Sequence, residues 1–124
     1  MSYFSHVDGM ERLQIWDGLV GRAAVGKEAS LVAIEIEPNA VVPEHRHPNE
    51  QTGFLVRGSM RFTIGEETQE LRPGAMWVIP GDVPHAVVGG PEGAFLVELF
   101  APPRDDWGGL ERLPAAPVTL PSSR

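Results

Sequence analysis

The chain has 124 residues, 42% of them hydrophobic, enough for one domain with a core of its own. A formal net charge of −7, with no block of Lys or Arg, argues against nucleic acid or an anionic membrane surface as partner. The absence of cysteine excludes disulfides and thiolate metal sites.

Residues 1–10 have no basic, apolar-cored leader, and no apolar run approaches the roughly 20 residues of a membrane span, so a cytoplasmic protein is expected. No long amphipathic helix is predicted. The strand signals are better and follow one another along the chain. Leu31 to Ile36 is β-rich and ends at Pro38-Asn39. Phe54 to Val56 runs into Gly58. Met60, Phe62 and Ile64 then alternate with Arg61 and Thr63, a period-2 pattern with one wet face. Gly65-Glu66-Glu67 reads as a hairpin turn, with Thr68 to Leu71 returning. Met76 to Ile79 stops at Pro80-Gly81, Ala86 to Val88 is closed by Gly89-Gly90-Pro91, and Ala94 to Phe100 ends at Pro102-Pro103. Many short strands without crossover helices predict an all-β antiparallel sandwich or barrel over residues 1–107. Residues 108–124 carry three prolines and few large side chains, and are expected to form an irregular Pro-rich tail packed on a neighbour.

Three of the four histidines fall in two turn-flanked segments, Pro43-Glu44-His45-Arg46-His47-Pro48-Asn49-Glu50-Gln51 and Pro80-Gly81-Asp82-Val83-Pro84-His85. His6 lies apart and receives no role. His45 and His47 are two apart, which on a strand puts both imidazoles on one face, a pattern suited to a divalent transition metal. Gln51 shares their parity and Glu50 does not, although Pro48-Asn49 interrupts the run.

His45-x-His47-x3-Gln51-x6-Gly58 resembles the first motif of the cupin superfamily, with Gln where many members have Glu. Gly74-x5-Pro80-x-Asp82-x2-His85 resembles the second, with Asp82 in place of the usual Gly. The resemblance covers roughly Leu13 to Phe100. It implies a double-stranded β-helix, the jelly-roll barrel of cupins. It also implies one divalent metal, among Zn, Ni, Fe, Mn and Cu, held by His45, His47, Gln51 and His85. Four neutral ligands leave such a site near +2, a stronger Lewis acid than one with a Glu ligand.

Leu96 to Trp107 is similar to a segment of small cupins of the pectin-degradation type, which ketonise unsaturated uronates. That resemblance implies Glu98 and Arg104 as catalytic groups and Phe100 as a pocket wall. Glu98 would move a proton between carbon and oxygen, and Arg104 would grip a carboxylate through both donors of its fork. Glu98 stands where that group usually has Asp. The expected function is a metal-dependent isomerase- or lyase-type enzyme acting on a small oxygenated substrate such as an unsaturated uronate or keto/enol sugar acid. Two rivals stand beside it: a dioxygenase using Fe or Cu, and a non-catalytic small-molecule binding or sensor domain. A homodimer is expected, since small cupins commonly pair and strand edges need cover. Met60, Phe62, Met76 and Trp77 read as core or dimer contacts, and Trp16 and Trp107 as covers of the barrel ends.

Overall fold

Two strands far longer than the rest organise the protein. A computed structural model describes residues 2–121, so the last three residues of the expected tail lie outside the described residues. After a 3-10 turn at Val7–Gly9 come β1 (Arg12–Trp16), β2 (Leu19–Val25), β3 (Ser30–Ile36), β4 (Val41–His45), β5 (Glu50–Ile64), β6 (Glu67–Leu71), β7 (Met76–Ile79), β8 (His85–Ala101) and β9 (Arg112–Leu113). All pairings are antiparallel, in the order β6-β5-β8-β3-β2-β1-β9, with β4 also on β8 and β7 also on β5. This is the all-β barrel that the alternation of short apolar runs and turns predicts.

The strands β5 and β8 correct the reading of glycines as strand ends. Phe54–Val56 and Met60–Ile64 are one strand, and Ala86–Val88 and Ala94–Phe100 are another. Each passes from one layer of the barrel to the other. The N-terminal part of β8 pairs with β4 and with Met60 to Ile64 of β5, and its C-terminal part pairs with β3 and with Glu50 to Gly58. At the crossing the register slips and the inward parity flips. Gln51 and Leu55 point inward before it on β5, Met60 and Phe62 after it. On β8, His85 and Val87 are buried before it, and Leu96, Glu98 and Phe100 after it. Gly58 makes the crossing possible. Its φ is +85°, and a Cβ there would lie 2.1 Å from the carbonyl oxygen of Gly93. A glycine that bends a barrel corner and one that ends a strand look alike in sequence.

The core lies between the layers and includes Val32, Ile34, Ile36, Leu55, Met60, Phe62, Ile79 and Leu96. Three strands that the chain does not advertise, β1, β2 and β4, complete the wall. The expected hairpin joins β5 to β6, but its turn is the two residues Gly65-Glu66, because Glu67 already pairs with Ile64.

The C-terminal stretch is irregular apart from β9, and it lies on its own barrel. Arg12 and Leu13 pair with Leu113 and Arg112. Beyond that, the chain crosses the outside of β2 and β3, where Arg22 and Glu35 form a buried ion pair at 2.6 Å. Arg22 Nη2 donates to the carbonyl of Ala116 at 2.8 Å, and Glu35 Oε2 accepts from the backbone N–H of Thr119 and Leu120 at 2.8 and 3.0 Å. Burial alone would raise the Glu35 carboxyl, but the hydrogen bonds from Arg22, Thr119 and Leu120, with the charge of Arg22, bring it below the ordinary range.

Candidate metal centre and cavity

The site gathers where β4, β5 and β8 meet. His45 ends β4 and His85 begins β8, and the two are register partners. His47 follows on the connection to β5, and Gln51 sits near the start of β5 opposite Phe100. The ring centroids of His45 and His85 are 4.3 Å apart, those of His47 and His85 5.0 Å, and those of His45 and His47 6.1 Å. One nitrogen from each ring lies within 4.8 Å of the others, so the three histidines could hold a metal ion.

The hydrogen bonds orient these rings in the same way. Nδ1 of His45 meets the carbonyl of Pro43 at 2.8 Å, Nδ1 of His85 that of Val83 at 2.9 Å, and Nδ1 of His47 that of Asn49 at 3.1 Å. A carbonyl only accepts, so each Nδ1 carries the proton and each Nε2 presents a lone pair. Ligating histidines are commonly fixed by such outer contacts. Nε2 of His85 is buried and has no hydrogen-bond partner among the described residues. Gln51 adds a second sign. Its Nε2 donates to Glu98 Oε2 at 2.5 Å, which leaves its Oε1 2.9 Å from Nε2 of His47. Two acceptors at that distance repel unless a proton or a cation lies against both. The residues present therefore fit a divalent ion held by His45, His47 and His85 with Gln51 beside them.

Burial lowers the imidazole of His85 to about 4, helped by the charges of His45, His47 and Arg104 and opposed by the contact with Val83. Burial, then the charge of Arg104, also lowers that of His47. Both rings are thereby kept neutral, the form a metal takes.

Behind the histidines, Glu98 is 6% exposed and lines the same cavity as His45, Gln51, His85 and Phe100. Burial pushes its carboxyl up to about 7, against the hydrogen bonds of Gln51 and Trp77 and the charge of Arg104, which pull it down. The cavity is partly open, and Trp16, Arg104 and Trp107 also line it. Phe100 is buried, packed edge-on to His47 and to Trp107 at 5.7 and 5.3 Å. Trp16 lies over His45 at 5.1 Å.

Arg104 is paired within its own chain. Its guanidinium stacks on Phe100 and Trp107 at 5.2 and 4.9 Å, and both arms of its fork go to a carboxylate of its own chain. Nε donates to Asp106 Oδ1 and Nη2 to Asp106 Oδ2, each at 2.8 Å. Arg104, first through its hydrogen bonds, holds the Asp106 carboxyl below its usual range. The bidentate site is formed, and an internal anion fills it.

Two positions given no part in the site from sequence support it. Asn49 is buried, and its Nδ2 donates to the carbonyl of Pro102 at 2.6 Å, tying the histidine loop to the segment that carries Arg104. Trp77, read as core, donates from Nε1 to Glu98 Oε2 at 3.0 Å. The signal for Asn49 was its place inside the first histidine segment. That for Trp77 was a glycine, Gly53, at an inward position of the facing strand.

A barrel of two long switching strands, with three convergent histidines that could hold a metal ion, is an architecture found in cupins. The cupin domain model matches residues 32–97, and the chain belongs to the cupin family. The dimethylsulfoniopropionate lyase DddW of Ruegeria pomeroyi is 34% identical over 87 residues, 69% of this chain. The matched stretch spans 57% of that relative's length. Among solved structures, an RmlC-like cupin from Shewanella frigidimarina superposes with a TM-score of 0.78 at 26% identity, covering 86% of this chain and 96% of the other. KdgF from Halomonas sp. gives 0.78 at 24% identity, over 86% and 98%, a likeness of fold. No helix of the described residues is long and apolar enough to cross a membrane.

Proposed function

We propose that this cupin is a metal-dependent isomerase- or lyase-type enzyme that moves a proton to or from carbon in a small oxygenated acid, with Glu98 as the proton carrier. The observation that carries this reading is the placement of Glu98. A buried carboxyl faces the cavity of the histidine cluster and is joined to that cluster through Gln51. When bound, a divalent ion would supply Lewis acidity that stabilises negative charge on a substrate oxygen. In a keto/enol isomerisation Glu98 moves a proton from the enol oxygen to carbon, so that the O–H bond breaks, a C–H bond forms and C=C–O–H becomes H–C–C=O. In a lyase reaction Glu98 instead takes a proton from the carbon beside the carboxyl group, and the electron pair forms a double bond and expels a group from the neighbouring carbon. The resemblance of residues 96–107 to the uronate-ketonising cupins supports the first outcome, with an unsaturated uronate or keto/enol sugar acid as substrate. The similarity to a lyase supports the second. Arg104 would meet the substrate's carboxylate only by exchanging Asp106 for it. Phe100 walls the cavity beside His47.

The test is turnover by metal-loaded protein of a panel of unsaturated uronates, small keto acids and acids with a β leaving group. Glu98→Gln is expected to keep the fold and the metal content but lower turnover by roughly 10²-fold, the usual cost of losing a general acid or base. Turnover within a few fold of the parent would remove Glu98 as proton carrier, and no turnover of any panel member would favour the binding-domain reading.

The same proposal includes a homodimer. Leu31, Phe54, Met76, Val78 and Leu99 form a contiguous apolar patch on the outer face of β3, β8, β5 and β7, with Met76 76% exposed. The tail covers the neighbouring outer face of β2 and β3 with this chain's own residues, and a second copy would cover this one. Light scattering at micromolar concentration is expected to give twice the chain mass, and Met76→Lys to return it to the monomer. A monomer mass for the parent would count against pairing.

A further inference from the structure

Trp77 is held on three sides. Its indole lies where the side chain of residue 53 would stand, and a Cβ on Gly53 would come within 2.2 to 2.4 Å of Cε2, Cζ2 and Nε1. Phe62 packs edge-on to it at 5.2 Å. The third contact is the hydrogen bond from Nε1 to Glu98 Oε2. Gln51 Nε2 donates to that same oxygen. Glu98 Oε2 therefore receives two N–H groups, and no donor among the described residues reaches Oε1. An indole N–H only donates, so this contact never reverses direction.

We propose that Trp77 is a positioning residue for Glu98, and that its indole and the Gln51 amide together hold Oε2 and leave Oε1 as the oxygen a ligand meets in the cavity. Gly53 belongs to the same device, because any side chain there displaces the ring. Rotation of the carboxyl would break two hydrogen bonds inside the barrel, where each lost partner is costly. The inference deepens the proposed role of Glu98 and rests on that reading for its catalytic consequence. The contact itself is independent of the substrate.

Two variants remove the contact in different ways. Trp77→Phe keeps an aromatic ring and deletes the donor. Gly53→Ala keeps the donor and pushes the ring aside. With a substrate that the protein turns over, each is expected to lower kcat about tenfold with KM little changed, the scale of a modest misplacement of a reacting group. Trp77→Phe added to Glu98→Gln should cost nothing further, because both act through one group. Costs that multiply would overturn the proposal.

A second measurement needs no substrate. The 15N-labelled protein has three tryptophan indole signals, and Trp77→Phe identifies the one that belongs to Trp77. Glu98→Ala and Gly53→Ala should each move that signal and speed its hydrogen exchange, with the Trp16 and Trp107 signals still in place as the check on folding. A Trp77 signal unchanged by Glu98→Ala would overturn the contact. A moved signal with Glu98→Gln still fully active would uphold the contact and defeat the proton-carrier reading instead.

Discussion

His85→Ala is expected to strip the protein of its metal while leaving the barrel folded. His85 is 3% exposed at the start of β8, its Nδ1 is tied to Val83, and its Nε2 is the one buried ring nitrogen without a partner among the described residues. Removing it deletes the ligand between the other two, since its ring is the nearest neighbour of both His45 and His47. Losing a partner that only orients a ligand costs roughly 10–100-fold in metal affinity. Losing the ligand itself should exceed the upper end of that range. Metal content after dialysis, with competition by a chelator of known affinity, measures the change, and a thermal melt of the metal-free proteins reports the fold. A variant that binds as tightly as the parent would mean that the histidines converge for another reason.

The second large effect concerns stability. Arg22→Ala is expected to cost about 3 kcal/mol, the lower end of the range for breaking a buried ion pair by removing one partner. The lower end applies because Glu35 keeps the backbone N–H groups of Thr119 and Leu120. The melting temperature should fall by roughly 10–15 °C, given 3–5 °C per kcal/mol for a domain between the small and medium size classes. The pH dependence has a definite sign. The folded-state pKa of Glu35 lies below the ordinary value, so its contribution is full above the range where a free Glu titrates. That contribution is lost as pH falls through the lower, folded-state value. Arg22→Ala should therefore flatten the acid limb of the stability profile. Urea titration at several pH values measures both effects. A loss under 1 kcal/mol would mean that the pair is solvated and that the tail does not seal it.

The convergence of His45, His47 and His85 was legible because the three lie in short segments between turn residues, two of them on one face. Glu98 shares strand parity with Leu96 and Phe100, and all three are buried after the crossing of β8. Long-range partners were not legible. Nothing local says that Trp77 meets Glu98, because the contact depends on Gly53 of a third strand. Arg22 and Glu35 each stand alone in an apolar run, and an unpaired charge there is improbable. That conflict was the signal for a cross-strand pair. Asp106 was passed over because Arg104 was assigned to an outside ligand, although the two residues are only two apart and a carboxylate so near competes for the same fork. The glycines at the barrel crossing misled for the reason given by Gly58: the chain bends there and pairing continues.

The strapped ion pair also bears on the order in which contacts form during synthesis. Arg22 and Glu35 leave the ribosome before the backbone groups that enclose them, which follow 94 and 84 residues later. Chains fold from the N-terminus as they emerge, and contacts of such separation form late. Until residues 116–120 are free, the two charges can remain hydrated on an outer strand face, where a pair costs little and contributes little. Drying of that face therefore waits until residues 116–120 have been made and can lie across it.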